Sequence, residues 1–170
     1  MTQAGLPLRL RAPQLSDLTA FVSNARRSRR LHTPWVQAPQ SESQFLAYLE
    51  RMSQPGHYAL LLEAVQSGEL LGVFNLSNAV MGGFRSAYLG YYVFAGHERQ
   101  GHMKRGMKLF SQHALNKLKL HRIEANIQPA NRPSIALVQA TGFHLEGYSP
   151  RYLKISGRWR DHERWALRAD

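Results

Sequence analysis

Apolar and basic residues alternate along Leu8-Arg9-Leu10-Arg11, the period of a half-exposed strand. Ser16-Asp17 then supplies a helix N-terminal signal ahead of Leu18, Phe21 and Val22. Thr33-Pro34-Trp35-Val36 and Pro39 read as an extended or turning stretch. After Ser41-Glu42-Ser43, the positions Phe45, Leu46, Tyr48, Leu49 and Met52 suit a second amphipathic helix that ends before Pro55-Gly56. Tyr58 to Val65 and Leu70 to Leu76 flank the turn Ser67-Gly68 and predict a β-hairpin. A second hairpin turns at Met81-Gly82-Gly83 into the strand Ala87 to Phe94, where Gly90 signals a bulge or a close backbone approach.

From Met103 the period changes. Met103, Met107, Phe110, Ala114 and Leu118 recur three or four apart, which predicts the longest helix, with Lys104, Arg105, Lys108 and Lys117 elsewhere around it. Ile123 to Ile127 alternates as a strand, and Asn131 to Ala140 reads as a short helix closed by Gly142. Phe143 to Ile155 and Trp159 to Leu167 supply two last strands around Ser156-Gly157. The resulting order, β α α β β β α β α β β, contains no internal repeat or interdomain linker and predicts one α/β (α+β) domain over residues 1–170.

Composition narrows the chemistry. The absence of cysteine removes disulfides, thiolate metal sites and a cysteine nucleophile. No pair of histidines shows metal-ligand spacing, so no metal is expected. The start, Met1 to Leu6, lacks a leader pattern, and no stretch approaches the roughly 18 apolar residues of a membrane span, so a soluble, cytoplasmic protein is expected. Lys and Arg number 22 against 11 Asp and Glu, giving a net charge of +11. An anionic partner follows, and charge alone does not separate nucleic acid, an acidic protein and a phosphate-rich cofactor.

The candidate chemistry lies where the Tyr88 to Phe94 strand meets the long helix, through Ala95-Gly96-His97-Glu98-Arg99-Gln100-Gly101-His102-Met103. A helix N-terminus offers unpaired N–H groups, and a glycine there admits a phosphate to the backbone. Glu98-x-x-Gly101-x-Met103 resembles the acetyl-CoA loop of the GNAT acetyltransferases. Ala87-Tyr88-Leu89-Gly90-Tyr91, His121 to Asn126, Asn131-Arg132-Pro133-Ser134, Gly142-Phe143-x-x-Glu146-Gly147-Tyr148 and Gly157-x-Trp159-Arg160-Asp161-His162 are similar, in the same order, to the RimJ/RimL branch, and more to RimJ. Glu98 departs from the family's usual Gln or Arg and is expected to point away from a pyrophosphate. Met103 departs from its usual small residue, although methionine is familiar in this branch.

The resemblance implies the GNAT fold, a mixed sheet of about seven strands with four helices. It also implies acetyl-CoA as cosubstrate, bound by Arg99, Gln100, Gly101, His102 and Met103, with main-chain groups near Tyr92 and Val93 pairing with the pantetheine arm. Asn131 is expected to act as helix N-cap, as a pantetheine partner, or as both. Ser134, one helical turn on, is expected to serve as general acid or hydrogen-bond donor toward the leaving thiolate. Trp35 lines an acceptor cleft or simply packs. No general base is assigned: Leu153 stands where relatives carry a glutamate, leaving Glu124, Glu146, Asp161 and His162 to choose from.

The function implied is acetyl transfer to the N-terminal amine of a ribosomal or other protein, by direct attack in a ternary complex. Its partners would be a protein N-terminus near the ribosome or RNA, with the enzyme a monomer or homodimer. Two alternatives stay open: a small-amine acetyltransferase acting on a polyamine, amino acid or antibiotic, and an inactive GNAT-fold module that binds RNA.

Overall fold

The computed structural model describes residues 5–169. Residues 1–4, which begin the stretch read above for a leader, and residue 170 lie outside the described residues.

Among the described residues, seven strands make one continuous sheet in the order β1-β2-β3-β4-β5-β7-β6. They are β1 (Leu8–Arg11), β2 (Tyr58–Ala64), β3 (Leu70–Val80), β4 (Ser86–Val93), β5 (Arg122–Ile127), β6 (His144–Ile155) and β7 (Arg158–Arg168). Five helices accompany them: α1 (Leu18–Arg27), α2 (Arg29–His32), α3 (Glu42–Met52), α4 (His102–Gln112) and α5 (Arg132–Gln139). Four helices were expected, and the additional one is α2. Its four residues, Arg-Arg-Leu-His, complete a single turn and are too short to display an apolar period. The helix predicted to reach Leu118 ends as α4 at Gln112 and continues as a π-helical turn over His113–Lys117.

Side-chain alternation sorts the core into two layers. On one face Phe74, Leu89, Ile123 and Trp165 pack under Met107 and Phe110 of α4 and Val138 of α5. On the other, Val73, Tyr92 and Phe94 pack against Phe21 of α1 and Phe45 and Tyr48 of α3. Each such fully buried side chain contributes about 1.5–3 kcal/mol. The β1 edge is held by charge as well. Glu63 of β2, only 2% exposed, accepts from Arg9 Nη2 at 2.5 Å and from Arg11, whose guanidinium also reaches Asp17 at 2.7 Å. Asp17 in turn accepts the Gln14 N–H at 2.8 Å, tying the segment entering α1 to β1.

Gly90 forms no bulge. It pairs in register with Asn75, and the irregularity of this hairpin falls between Ser77 and Val80. A Cβ at Gly90 would meet nothing within 4 Å, so no neighbouring backbone approaches it closely either.

The feature that positions the site is the meeting of β4 and β5. They pair in parallel only from Ser86↔Arg122 to Tyr88↔Glu124. Beyond Tyr88, β4 continues with β3 to Val93, while β5 continues with β7 to Ile127. The two strands part, and a wedge opens in the sheet.

Candidate active site

The wedge is a cleft of about 1070 Å³ bounded by β4, β5, the loop into α4, the start of α5 and the segment around Trp35. The Phe94 N–H donates to Leu71 O on β3, and two-residue periodicity then turns the main chain of Tyr92 toward β3 as well. The groups facing the cleft belong to Tyr91 and Val93. The expectation for Tyr92 is corrected on this point: Tyr92 lines the cleft, but its ring is buried against His32 and Phe94 and its main-chain groups run toward β3. The Val93 carbonyl accepts from His32 Nε2 at 2.8 Å. A carbonyl only accepts, so Nε2 carries the hydrogen, and Nδ1 is left sealed and unpartnered. Burial holds this imidazole below its ordinary pKa, against the opposing pull of the Val93 carbonyl.

At the head of the cleft the chain turns into α4 through Arg99 and Gly101, both with positive φ, at 59° and 76°. At Gly101 the absence of Cβ matters twice: the left-handed conformation costs little, and the outer side of the turn stays clear to 4 Å. Arg105 N–H is the first in α4 to donate back, to Gly101 O at 3.1 Å. The amides of His102, Met103 and Lys104 therefore have no acceptor within the helix, and with the helix dipole they form a seat for anionic oxygens. Glu98 turns its carboxylate back onto its own loop, where Oε2 accepts the Gly96 N–H at 2.5 Å. Arg99, Gly101, Met103 and Lys104 line the cleft. The side chains of Gln100 and His102 do not: Gln100 Nε2 donates to Gly96 O, and His102 Nε2 pairs with Gln100 Oε1 at 3.1 Å. These two positions offer the cleft backbone only. Met103 packs its thioether over Gly72 of β3, where a Cβ would stand 2.6 Å from Sδ.

Across the cleft, Asn131 occupies the N-cap position of α5 without making a side-chain cap bond, so its amide remains available to the cavity it lines. Ser134 lines the same wall. Its Oγ lies 2.6 Å from Tyr91 Oη, which also donates to Ser134 O at 3.2 Å. Burial raises the Tyr91 phenol, countered in part by Ser134, and keeps it protonated. When the single phenol hydrogen goes to Ser134 Oγ, the shorter of the two contacts, the serine's own hydrogen is free to point at a ligand. Trp35, half-buried, lines the cleft beside Leu31 and Val36.

The four base candidates separate cleanly. Glu124 and Glu146 both accept from Arg122. Asp161 accepts from Tyr148 Oη at 2.5 Å and from the Arg151 N–H at 2.8 Å, which locks the β6–β7 hairpin. His162, on the opposite face of β7, lines the cleft. Tyr91 and Asn126, quoted from sequence only within longer motifs, and His32, not singled out there, also belong to the cleft; what each faces is set by positions 43, 38 and 61 away in the chain.

The matching model, the acetyltransferase (GNAT) domain, covers residues 7–144, and the chain belongs to that family. It is 32% identical over 120 residues to the probable N-acetyltransferase YjcK of Bacillus subtilis, covering 71% of this chain and 66% of that protein. It is 39% identical over 99 residues to the [ribosomal protein uS5]-alanine N-acetyltransferase of Escherichia coli, covering 58% of this chain and 51% of that one. The chain thus matches between half and two thirds of the length of these relatives. Mycobacterium smegmatis RimJ in complex with CoA-disulfide superposes with a TM-score of 0.87 at 26% identity, over 95% of this chain and 82% of that one. The Vibrio cholerae spermidine N-acetyltransferase, in complex with CoA and spermine, shares the fold with a TM-score of 0.80 at 23% identity, over 95% of both chains. Among the described residues no helix is long and apolar enough to cross a membrane.

Proposed function

We propose that the chain transfers the acetyl group of acetyl-CoA to the α-amino group of a protein N-terminus, a ribosomal protein being the first candidate. The observation that carries the reading is the cleft itself: outward main-chain groups of Tyr91 and Val93, the His102 to Lys104 amides and Ser134 converge on one wedge. The amide seat takes the pyrophosphate, with Lys104 and Arg99 lining the cleft beside it. The pantetheine arm lies along β4 in place of a pairing strand. Since Val93 O is already bonded to His32, the Val93 N–H and the Tyr91 groups carry that pairing. The thioester then faces Ser134, whose hydroxyl donates to sulfur as the C–S bond breaks. Holding amine and thioester together supplies much of the acceleration, and no covalent enzyme intermediate is needed. Similarity to the uS5-alanine acetyltransferase supports a peptide N-terminus as acceptor. The net charge of +11 suits approach to ribonucleoprotein.

Calorimetric titration of acetyl-CoA tests the reading, alongside a Gly101→Glu variant that adds a carboxylate at the amide seat. Expected are micromolar binding by the unmodified protein, loss of at least a hundredfold in affinity in the variant, and acetylation of a peptide beginning with alanine. Absence of binding by the unmodified protein sinks the reading and favours the RNA-binding alternative, for which strong salt-sensitive RNA affinity is the mark.

A further inference from the structure

The face of the wedge opposite α5 carries two acceptor atoms with no protein partner. Asn126 of β5 lines the cleft, and its Oδ1 has no protein partner; the atom is covered in the empty site, and a turn of the side-chain amide about its last torsion presents it to an occupant. His162 of β7 places Nδ1 2.9 Å from the Arg160 carbonyl. That oxygen can only accept, so Nδ1 carries the hydrogen and the lone pair of the neutral ring sits on Nε2. Nε2 has no hydrogen-bond partner among the described residues and, unlike His32 Nδ1, is not sealed from the cleft. Asn126 pairs directly with Arg164 across β5–β7, and His162, two residues before Arg164, shares its face. Asn126 and His162 are therefore diagonal neighbours, their backbones roughly 7–8 Å apart along the sheet, close enough for the two side chains to converge on one ammonium group.

We propose that Asn126 and His162 form the acceptor-amine site: Asn126 Oδ1 holds one N–H of the incoming ammonium, and His162 Nε2 removes a proton from it. The proposal rests on the acetyl-transfer reading above. The first ammonium proton passes to Nε2 and from there to water at the cleft mouth. The freed lone pair forms the C–N bond to the thioester carbonyl carbon, and the C–S bond breaks with its electrons kept by sulfur. A second nitrogen proton is lost as the amide forms, and the departing sulfur is protonated to the thiol, with Ser134 bridging that transfer. The products are the N-acetyl amide, CoA thiol and one proton in solution.

The rest of the neighbourhood suits a neutral base. Burial holds His162 below the ordinary imidazole value, opposed by its bond to Arg160 O and by adjacent Asp161. Tyr152 of β6 approaches ring to ring at 6.3 Å, and Arg160 and Arg164, two residues to either side of His162, are the nearest cations on the same face of β7. The remaining carboxylates of the hairpin and β5 are engaged elsewhere: Glu124 and Glu146 with Arg122, Asp161 with Tyr148, and Glu163 with the Trp165 indole N–H.

The test combines tautomer, binding and rate. In the unmodified protein, long-range nitrogen–proton NMR correlations of His162 are expected to show hydrogen on Nδ1 and a bare Nε2. With acetyl-CoA and a peptide beginning with alanine, kcat/KM is expected to rise through the His162 titration. In His162→Gln and His162→Asn that limb disappears and kcat/KM at neutral pH falls about a hundredfold, while acetyl-CoA affinity by calorimetry is unchanged. Asn126→Ala is expected to raise the peptide KM tenfold or more and to keep the limb. Hydrogen on Nε2, or a histidine variant with wild-type rate and limb, overturns the assignment while leaving acetyl transfer standing. An unmodified protein that does not bind acetyl-CoA overturns the reading and the assignment together. The tautomer measurement needs no variant and so does not depend on the tolerance of a buried position to substitution.

Discussion

Tyr91 Oη and Ser134 Oγ, from β4 and α5, meet at 2.6 Å across the cleft. The contact fixes the serine rotamer and, with tyrosine donating, directs the serine hydrogen into the cavity. Ser134→Ala is expected to lower kcat about a hundredfold with little change in acetyl-CoA affinity, since the lost bond strengthens only as charge develops on sulfur. Tyr91→Phe removes the orienting partner alone, and a loss of roughly tenfold, ~1.4 kcal/mol, is expected. In the double variant the tyrosine effect should vanish, because nothing remains to orient. Additive losses in a kinetic double-mutant cycle would show that Tyr91 acts independently of Ser134.

The order of elements was legible because each apolar face is local. Leu8 to Arg11 alternates, and Met103 to Leu118 repeats every three or four residues, whatever the rest of the chain does. All seven strands followed from such windows, as did four helices; α2 did not, since one turn has no period. The amide seat was legible too, since Gly101 announces it. What stayed hidden depends on register. Whether Tyr92 or its neighbours face the cleft is decided by the pairing of Gly72 with Val93, which no local pattern contains. The Ser134 partnership with Tyr91, and the sharing of a face by Asn126 and His162, likewise arise only once β4, β5, α5 and β7 are assembled.

The Gly72 site shows how closely α4 sits on the sheet. A Cβ there would lie 2.6 Å from Met103 Sδ and 2.9 Å from the Tyr92 carbonyl oxygen. The thioether can swing aside, but the carbonyl belongs to the β3–β4 ladder. Gly72→Ala is therefore expected to cost about 1–3 kcal/mol, and Met103→Ala in the same chain to recover only part of it. Urea midpoints of the two variants give the comparison, and full recovery would place the whole clash on methionine.

Acid sensitivity is expected to centre on β1. Burial pushes the Glu63 carboxyl up, yet the hydrogen bonds and charges of Arg11 and Arg9 outweigh it, and the net shift is downward. Asp17 moves the same way, chiefly through Arg11 and against its own desolvation. A carboxylate lower in the folded than in the unfolded chain stabilises above the unfolded value of about 4, and loses that contribution as pH falls through the folded value. Glu63→Gln should lower stability at neutral pH by about 1–3 kcal/mol and flatten its fall below pH ~4. Denaturant titrations at neutral and acidic pH would reveal it, and parallel curves for the two proteins would contradict it.

The acceptor reading makes a comparison between amines. Glu98 is the one carboxylate lining the cleft among the described residues, and it is turned onto Gly96, while Arg99 and Lys104 line the same cavity. A peptide N-terminus brings one ammonium followed by neutral amides, which Asn126 and His162 can receive. Spermidine brings further cations, and each needs an anion the cleft does not provide. The alanine peptide is thus expected to exceed spermidine in kcat/KM by at least tenfold at moderate ionic strength. Added salt should narrow the gap by screening the repulsion between polyamine and the protein's +11 charge. Spermidine turnover equal to or above that of the peptide would transfer the assignment to the small-amine alternative, with the catalytic geometry unchanged.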